Sequence, residues 1–537
     1  MNMIRKRTIA AIGLISIAYF ILFIFPNNTG AKDKMMISLF EPDEFAQYGV
    51  VIKMITPYDE LDKTVLNFIA YRHYYYGSPF YFSSAFILLP IKLFENVRQT
   101  TQLNILLLRQ FIGVLPMLGA IILLTYTQTK FQSFTKSIAL FLFLLSVSAV
   151  VENNLWWHVD SLAVFFTALT LFFLERDALG FSRNFYLAAL STGLATGTKV
   201  IGLFFFLAIP AYLIIGMVSQ RITWRVMIIR ALMFLGIMVA AIFISNPFLF
   251  LPSQFLRMLH IMSQQSEAMS TGWTLTYAKG PESWLPILQE LYGQPIFIIL
   301  SFIALGLGIW RGANRLYYLM IALWAIPFFI YVLFSIAIKP THFFLPILLP
   351  VYSSLIVLFE FPPFSSNQPP TRLLWFSGVL IVLVIANQFV LYINKDIALY
   401  RTVLAREGQE ESITFYATIQ REFLPQIQTD SELVVFRDVR MYFPDDSRYI
   451  VRSYWNSNYS TIEKIQPDMI VLWSQRIWDY TRKGAQESAI DPIAFQDTYQ
   501  FYVDADNDQL RGYRLIYRNE EGLFFVSDAI YEEFFDR

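Results

Sequence analysis

The feature that most limits what this chain can become is a succession of long apolar runs, one after another through its first 393 residues. Backbone inside hydrocarbon finds no water to bond, so a segment crossing a bilayer must be a helix or part of a closed barrel. Continuous runs of this length, without strand-like alternation, are helical spans. The chain of 537 residues is 56% apolar and 17% aromatic, well above a soluble protein of its size. A polytopic α-helical membrane protein is therefore expected. It has no cysteine, which removes disulfides, thiolate chemistry and sulfur-ligated metals together. Arg5-Lys6-Arg7 precede the first run, Thr8 to Phe25. That run reads as an uncleaved signal anchor, with only a weak cleavage signal at Thr29-Gly30-Ala31.

Sidedness follows from parity, because each crossing changes sides and cytoplasmic loops are the basic ones. Runs that fit a crossing are 8–25, 104–126, 137–151, 160–175, 185–198, 200–218, 226–246, 293–310, 316–337, 342–360 and 373–393. That gives about eleven spans. Lys130 and Lys136, Arg176 and Arg183, Arg221 and Arg225, Arg311 and Arg315, and Arg372 then share the cytoplasmic side with Arg5 to Arg7. Counting the apolar segment 79–94 as a span would reverse this order, so it is placed in the first outer loop, in the interface or packed on the bundle. The outer loops are 26–103, the short 152–160 and the long 247–292, with Phe361 to Pro370 a cytoplasmic linker.

After residue 394 the pattern becomes soluble, and 395–537 reads as a small extracytoplasmic α/β domain following a membrane domain of 1–394. Strands are expected at Leu433–Phe436, Tyr449–Val451 and Met469–Leu472, helices at 412–426 and 459–466, and a closing hairpin turning at Asn519-Glu520-Glu521-Gly522. No phosphate-loop pattern and no internal repeat is present. The net charge is zero, so only the placement of Lys and Arg informs; no nucleic-acid partner is expected. The absence of cysteine and the modest length point to a prokaryotic plasma membrane, crossed many times with the N-terminus cytoplasmic.

Ionisable groups gather on the outer face. Glu41-Pro42-Asp43-Glu44 follows the first span, and carboxylates beside a bilayer usually serve proton transfer or cation binding. Pro-Asp-Glu before an apolar run is equally a good helix start, and the two roles can coexist. Arg109, Lys199, Lys339 and His342 sit at outer helix ends, where snorkelling cations are also common. Glu152, Trp156, Trp157, His158 and Asp160 fill the short second loop, and its indoles suit an interfacial belt as well as a sugar platform.

The order of these features resembles the GT-C superfamily of membrane glycosyltransferases fed by polyprenyl-phosphate sugars. Glu41-Pro42-Asp43-Glu44-Phe45-Ala46-Gln47 resembles the His-Pro-Asp-Glu-x-x-Gln motif of lipid-linked mannosyltransferases, with Glu for His. Tyr75-Tyr76-Gly77-Ser78-Pro79-Phe80-Tyr81, Gly193 to Lys199, and Lys339 to Pro346 are more similar to the protein mannosyltransferase and aminoarabinose transferase branch. The likeness covers about 1–360 and not the C-terminal domain.

The resemblance implies a polyprenyl-phosphate sugar donor and a lipid, glycan or protein acceptor, with membrane lipid around the enzyme. It makes Asp43 the general base and Glu44 its companion, orienting the acceptor or tuning Asp43. Arg109, Lys199, Lys339 and His342 are the expected donor-phosphate ligands, and Glu152, His158, Asp160, Trp157 and Tyr76 the expected sugar or acceptor contacts. No metal is required; a divalent cation, Mg or Mn, on Asp43, Glu152 and Asp160 is the alternative. A transporter or flippase and a membrane-anchored assembly factor are the competing functions. The spans show no repeat and keep their ionisable groups at one face, which disfavours transport.

Overall fold

The computed structural model describes residues 3–92, 101–360, 372–429 and 431–536, so the expected linker Phe361 to Pro370 lies outside the described residues. Seven described helices are long and apolar enough to cross a membrane, or eight if Pro281–Tyr292 and Pro295–Arg311, bent by 83°, form one span. The expected count of eleven is higher because three runs fold into shorter or more polar helices. Phe134–Leu145 has 12 residues, Arg183–Thr198 has 16, and Asp160–Asp177 carries acids at both ends. Neighbouring helices cover these three, since Phe141, Leu144, Ala163, Leu171 and Ala188 are wholly buried. Trp224–Ser245 is the opposite case, burying only Phe234 and Ala241. A helix apolar on every side and uncovered by protein belongs in lipid.

Between the first two long helices the chain forms Lys34–Phe40, Pro42–Ile55 and Leu61–Ile69. Pro42 takes the first helical position, where a missing N–H costs nothing, and Asp43 and Glu44 occupy the first turn against the positive end of the helix dipole. Of segment 79–94, all but residues 93 and 94, which lie outside the described residues, belongs to the helix Ser78–Lys92, which packs on the bundle. Its Phe80, Tyr81, Ala85 and Leu88 are fully buried in a second core shared with Tyr48, Val51, Ile105 and Trp157.

A 38-residue helix, Arg372–Gln409, leads out of the bundle, so the expected division at 394/395 falls inside a continuous helix. The C-terminal domain then builds a five-stranded sheet in the order β2-β1-β3-β5-β4. The strands are β1 Leu433–Asp438, β2 Tyr449–Tyr454, β3 Met469–Trp473, β4 Tyr513–Arg518 and β5 Gly522–Ser527. The first three are parallel, and β5 pairs antiparallel with β3 and β4. Side chains alternate faithfully: Val435, Met469, Val471, Phe524 and Val526 face one core, while Phe436, Ile470, Leu472, Leu523 and Phe525 face the other. Helices cover both faces, which is why β3 reads as one unbroken apolar run. The third long loop also joins this domain: the Thr276 N–H donates to Ser488 O at 2.7 Å, and the Ile490 N–H to Thr274 O at 3.1 Å.

Candidate active site

Adjacent positions on a helix point about 100° apart, and that rotation sends Asp43 and Glu44 to different fates. Glu44 is fully buried and forms a two-bond pair with Arg109, Oε1 to Nε at 2.9 Å and Oε2 to Nη2 at 2.6 Å. It also accepts the Trp157 backbone N–H. Arg109, wholly buried, spends its remaining donors on Asn27 O at 3.0 Å and Thr29 O at 2.8 Å. It opens a short π-helical segment, Arg109–Val114, a local widening that often accompanies specialised sites. Two expectations are corrected here. Glu44 has no face for an acceptor and Arg109 none for a phosphate, because each saturates the other and together they clamp the first loop to the bundle.

Asp43 is exposed. Its charge is felt by His73, Tyr76 and Tyr81. His73, to which the sequence assigned no role, pairs through Nδ1 with the Tyr81 hydroxyl at 2.6 Å. Burial pulls its pKa down to about 4 against the opposing pull of Asp43, so a neutral ring stands beside the carboxylate. Burial, then the Asp43 and Asp160 carboxylates, push the Tyr76 phenol well above its ordinary range. Tyr76 thus stays a neutral hydroxyl that feels both acids. Glu41, the departure from the mannosyltransferase pattern, lies 3.7 Å from Arg406. Burial and the Glu44 charge raise its pKa to about 7, with Arg406 opposing, so near neutral pH it can give or take a proton.

A second group forms around Asp160, at the start of Asp160–Asp177. The Lys199 ammonium is 2.7 Å from Asp160 Oδ1, and His342 Nε2 is 3.4 Å from Oδ2. His158 Nδ1 also bonds Oδ2. A carboxylate can only accept, so His158 carries a hydrogen on Nδ1, and its Nε2 pairs with the Tyr76 hydroxyl at 2.7 Å. Trp156 stacks flat on the His158 ring, centroids 4.3 Å apart, and the two imidazoles lie 4.6 Å apart. Lys199 additionally sits over the Phe343 ring at 4.7 Å. Three stretches of sequence meet at one carboxylate, and Tyr76 joins them through His158.

The glycines of two motifs make this meeting close. A methyl on Gly77 would lie 1.5 Å from Gly197 O, so only glycine lets these backbones touch. Asn246 ties them together: its Oδ1 accepts the Ser78 N–H at 2.7 Å and its Nδ2 donates to Gly197 O at 3.1 Å. Asn246 was not singled out from the sequence, and a lone amide ending an apolar helix carries no signal of its own.

Beside this group opens an apolar cavity of about 790 Å³. Leu203, Phe204, Phe243, Phe255, Met262 and Tyr331 are among its walls, and Tyr76, Asp160 and Lys199 supply its polar end. A cavity this size with a few convergent polar groups is a ligand site by geometry.

Three other expected site residues lie elsewhere. Trp157 is buried, stacked on Phe80 at 5.2 Å, with its Nε1–H on Ser84 Oγ at 3.1 Å, so it packs the core and presents no sugar platform. Lys339 donates to Ala278 O at 2.7 Å and Ala337 O at 2.5 Å and lies over the Trp284 ring. Its ammonium closes a loop where a phosphate ligand was expected. Burial raises the pKa of Glu152, with Thr341 opposing the shift. Among the described residues, the metal-ligand types that come within 4.8 Å of one another are His158, Asp160 and His342, replacing the expected set of Asp43, Glu152 and Asp160. Lys199 already supplies the positive charge at that carboxylate.

No protein-family model and no curated protein sequence matches the chain. Solved structures do. ArnT from Cupriavidus metallidurans bound to undecaprenyl phosphate is 12% identical, with a TM-score of 0.50 over 97% of this chain and 98% of its own. The Archaeoglobus fulgidus oligosaccharyltransferase, tethered with an acceptor peptide containing the NVT sequon, is 13% identical, with a TM-score of 0.50 over 98% of this chain and 74% of its own. The fold is that of the GT-C membrane glycosyltransferases. The structural likeness spans nearly the whole chain, beyond the residues of about 1–360 that carry the motif resemblance. At such low identity the likeness is one of fold. The exposed acid on the first loop and the cationic end of the apolar cavity are properties of these residues themselves.

Proposed function

We propose that the chain is a GT-C glycosyltransferase that moves a monosaccharide from a polyprenyl phosphate to a hydroxyl acceptor at the face carrying Asp43. The observation that carries this reading is the apolar cavity whose lining includes the Lys199–Asp160 pair and Tyr76. A polyprenyl tail suits walls of Phe, Leu and Met, and its phosphate suits an ammonium at their end. The neighbours support it: one was solved with undecaprenyl phosphate and another with an acceptor peptide.

In this mechanism the acceptor oxygen attacks the anomeric carbon as its proton passes to Asp43. The carbon–oxygen bond to phosphate breaks, and the lipid phosphate leaves with the electron pair. Lys199, with His342 beside it, stabilises the charge that develops there. A single displacement inverts the centre, so a β-linked donor gives an α-linked product. Asp43 and the cavity would then lie on the extracytoplasmic face, with the N-terminus cytoplasmic and the C-terminal domain outside, in a prokaryotic plasma membrane.

The test is release of radiolabelled sugar by the purified protein from a panel of polyprenyl-phosphate monosaccharides. Turnover of one donor names the sugar; no turnover of any donor removes this reading. Lys199→Met should raise KM for the productive donor by roughly 10- to 100-fold, the loss expected when a charged hydrogen bond to an anion goes. A variant with unchanged KM would take the lipid phosphate away from Lys199.

His158, Asp160 and His342 have the chemistry to hold a divalent cation such as Mg or Mn. In this arrangement, however, Asp160 already accepts from Lys199 and His158, with His342 Nε2 3.4 Å from it. Turnover is accordingly expected to survive EDTA within about twofold. Loss on chelation, restored by Mn, would show a metal displacing Lys199.

A further inference from the structure

In an open α/β sheet, ligands bind outside the carboxyl ends of parallel strands, where the strand order reverses. In the order β2-β1-β3 the chain leaves β1 toward one side and returns on the other, so the reversal lies between β1 and β3. Asp438 ends β1 and Trp473 ends β3, and the Trp473 N–H donates to Asp438 Oδ2 at 2.8 Å. Asp438 Oδ1 accepts from Ser457 at 3.2 Å and Tyr502 at 3.3 Å, so its oxygens are occupied.

Two arginines flank this point. Arg440 follows β1, and its Nη1 donates to Leu39 O at 2.9 Å and Phe40 O at 3.3 Å, immediately before the motif that contains Asp43. Arg476 lies in the first turn of Ser474–Thr481 after β3, packed near the Trp473 and Tyr480 rings. Its Nε is buried with no hydrogen-bond partner. Arg440 feels the charge of Arg476 together with Glu41, Asp43 and Glu410, while Arg476 feels Asp438 and Asp479. Yet among the described residues neither has a carboxylate within 4.0 Å, whereas Arg109, Arg406 and Arg518 all do. Two guanidiniums that follow β1 and β3 at the position where such sheets bind ligands, one with a buried unpartnered Nε and neither within 4.0 Å of a carboxylate, are suited to receive an anion.

We propose that this crevice binds an anionic group of the acceptor, phosphate or carboxylate, through Arg440 and Arg476, and so presents the acceptor hydroxyl toward Asp43. The inference rests on the transferase reading and adds the acceptor's chemical class to it. The C-terminal domain then selects an acidic acceptor, and the membrane domain holds the donor.

The experiment is phenylglyoxal labelling of the full-length protein in detergent, read by peptide mass spectrometry, with inorganic phosphate or acetate added. Arg440 and Arg476 should be protected at least threefold by one of the two anions, phosphate pointing to a phosphorylated acceptor and acetate to a uronic or other carboxylic one. Arg421 and Arg514, whose side chains are 74% and 64% exposed, should label equally throughout. Labelling of Arg440 and Arg476 that neither anion alters would overturn the proposal, whatever the transfer assay shows. Protection without transfer of any sugar would keep the anion site and reject the transferase reading. Once an acceptor is known, Arg476→Gln should raise its KM about tenfold and leave the donor KM in place; an unchanged acceptor KM counts against the site.

Discussion

Replacing Asp43 by Asn should lower sugar transfer by roughly 100- to 10,000-fold, the range expected when a positioned general base is removed. The protein should remain folded, because Asp43 is exposed and the neighbouring pair, Glu44 with Arg109, holds its helix in place without it. Asn keeps the size of Asp and removes the basic oxygen with its charge, at a helix-start cost of only about 0.3–1 kcal/mol. Donor KM should stay near the wild-type value, since the cavity that would hold the lipid is lined by other residues. The measurement is single-donor turnover alongside thermal unfolding in detergent. Equal turnover by the variant would make the first-turn acid a helix-start residue and would shift the search for a base to Glu41, whose pKa lies at about 7.

The second large effect is on folding. Glu44→Gln or Arg109→Met, each alone, leaves one buried charge without its partner, at a cost of about 3–5 kcal/mol. Both side chains have no exposure, so water cannot make up the loss. Each single variant should unfold at markedly lower temperature in detergent or fail to accumulate, and the double variant should recover much of the loss. Single variants that fold and unfold as the wild type does, yet lose turnover, would return both residues to the catalytic roles that the motif implied.

The same pair shows where sequence reasoning reaches its limit. The apolar runs, the sheet strands and the closing hairpin are legible because each rests on local periodicity: the expected strand at Met469–Leu472 is β3, Met469–Trp473. The hairpin turn closes as its Asn and Gly suggest, with the Asn519 N–H on Gly522 O at 3.1 Å. That Asp43 and Glu44 form a functional spot is legible as well, from two acids beside a span. Which of them faces the open side is not, since that depends on where Arg109 arrives from 65 residues away. The meeting of Tyr76, His158, Lys199 and His342 at Asp160 is likewise non-local. Motif resemblance nominated all five, but only the packing of four separate segments separates them from Lys339, an equally plausible cation whose bonds go to loop carbonyls. Helices Ser474–Thr481 and Pro492–Asp506 went unread because their apolar residues are mixed with Arg, Asp and Gln.

The helix Arg372–Gln409 runs without a break from the bundle to the sheet domain. At 1.5 Å per residue its 38 residues reach about 57 Å, roughly twice the thickness of a bilayer core. Near its far end Arg406 bonds Thr29 Oγ1 at 3.0 Å, and Glu407 accepts the Gly30 N–H at 2.6 Å. Gly30, at φ +71°, lies against that guanidinium, leaving no room for a side chain. The start of the first outer loop and the far end of this helix are thus spliced at one joint, and the helix acts as a spacer of set length between the bundle and the sheet domain. An acceptor carried on a membrane anchor would be measured against that spacer. The height of its anionic group above the bilayer, as much as its chemistry, would decide whether its hydroxyl comes level with Asp43.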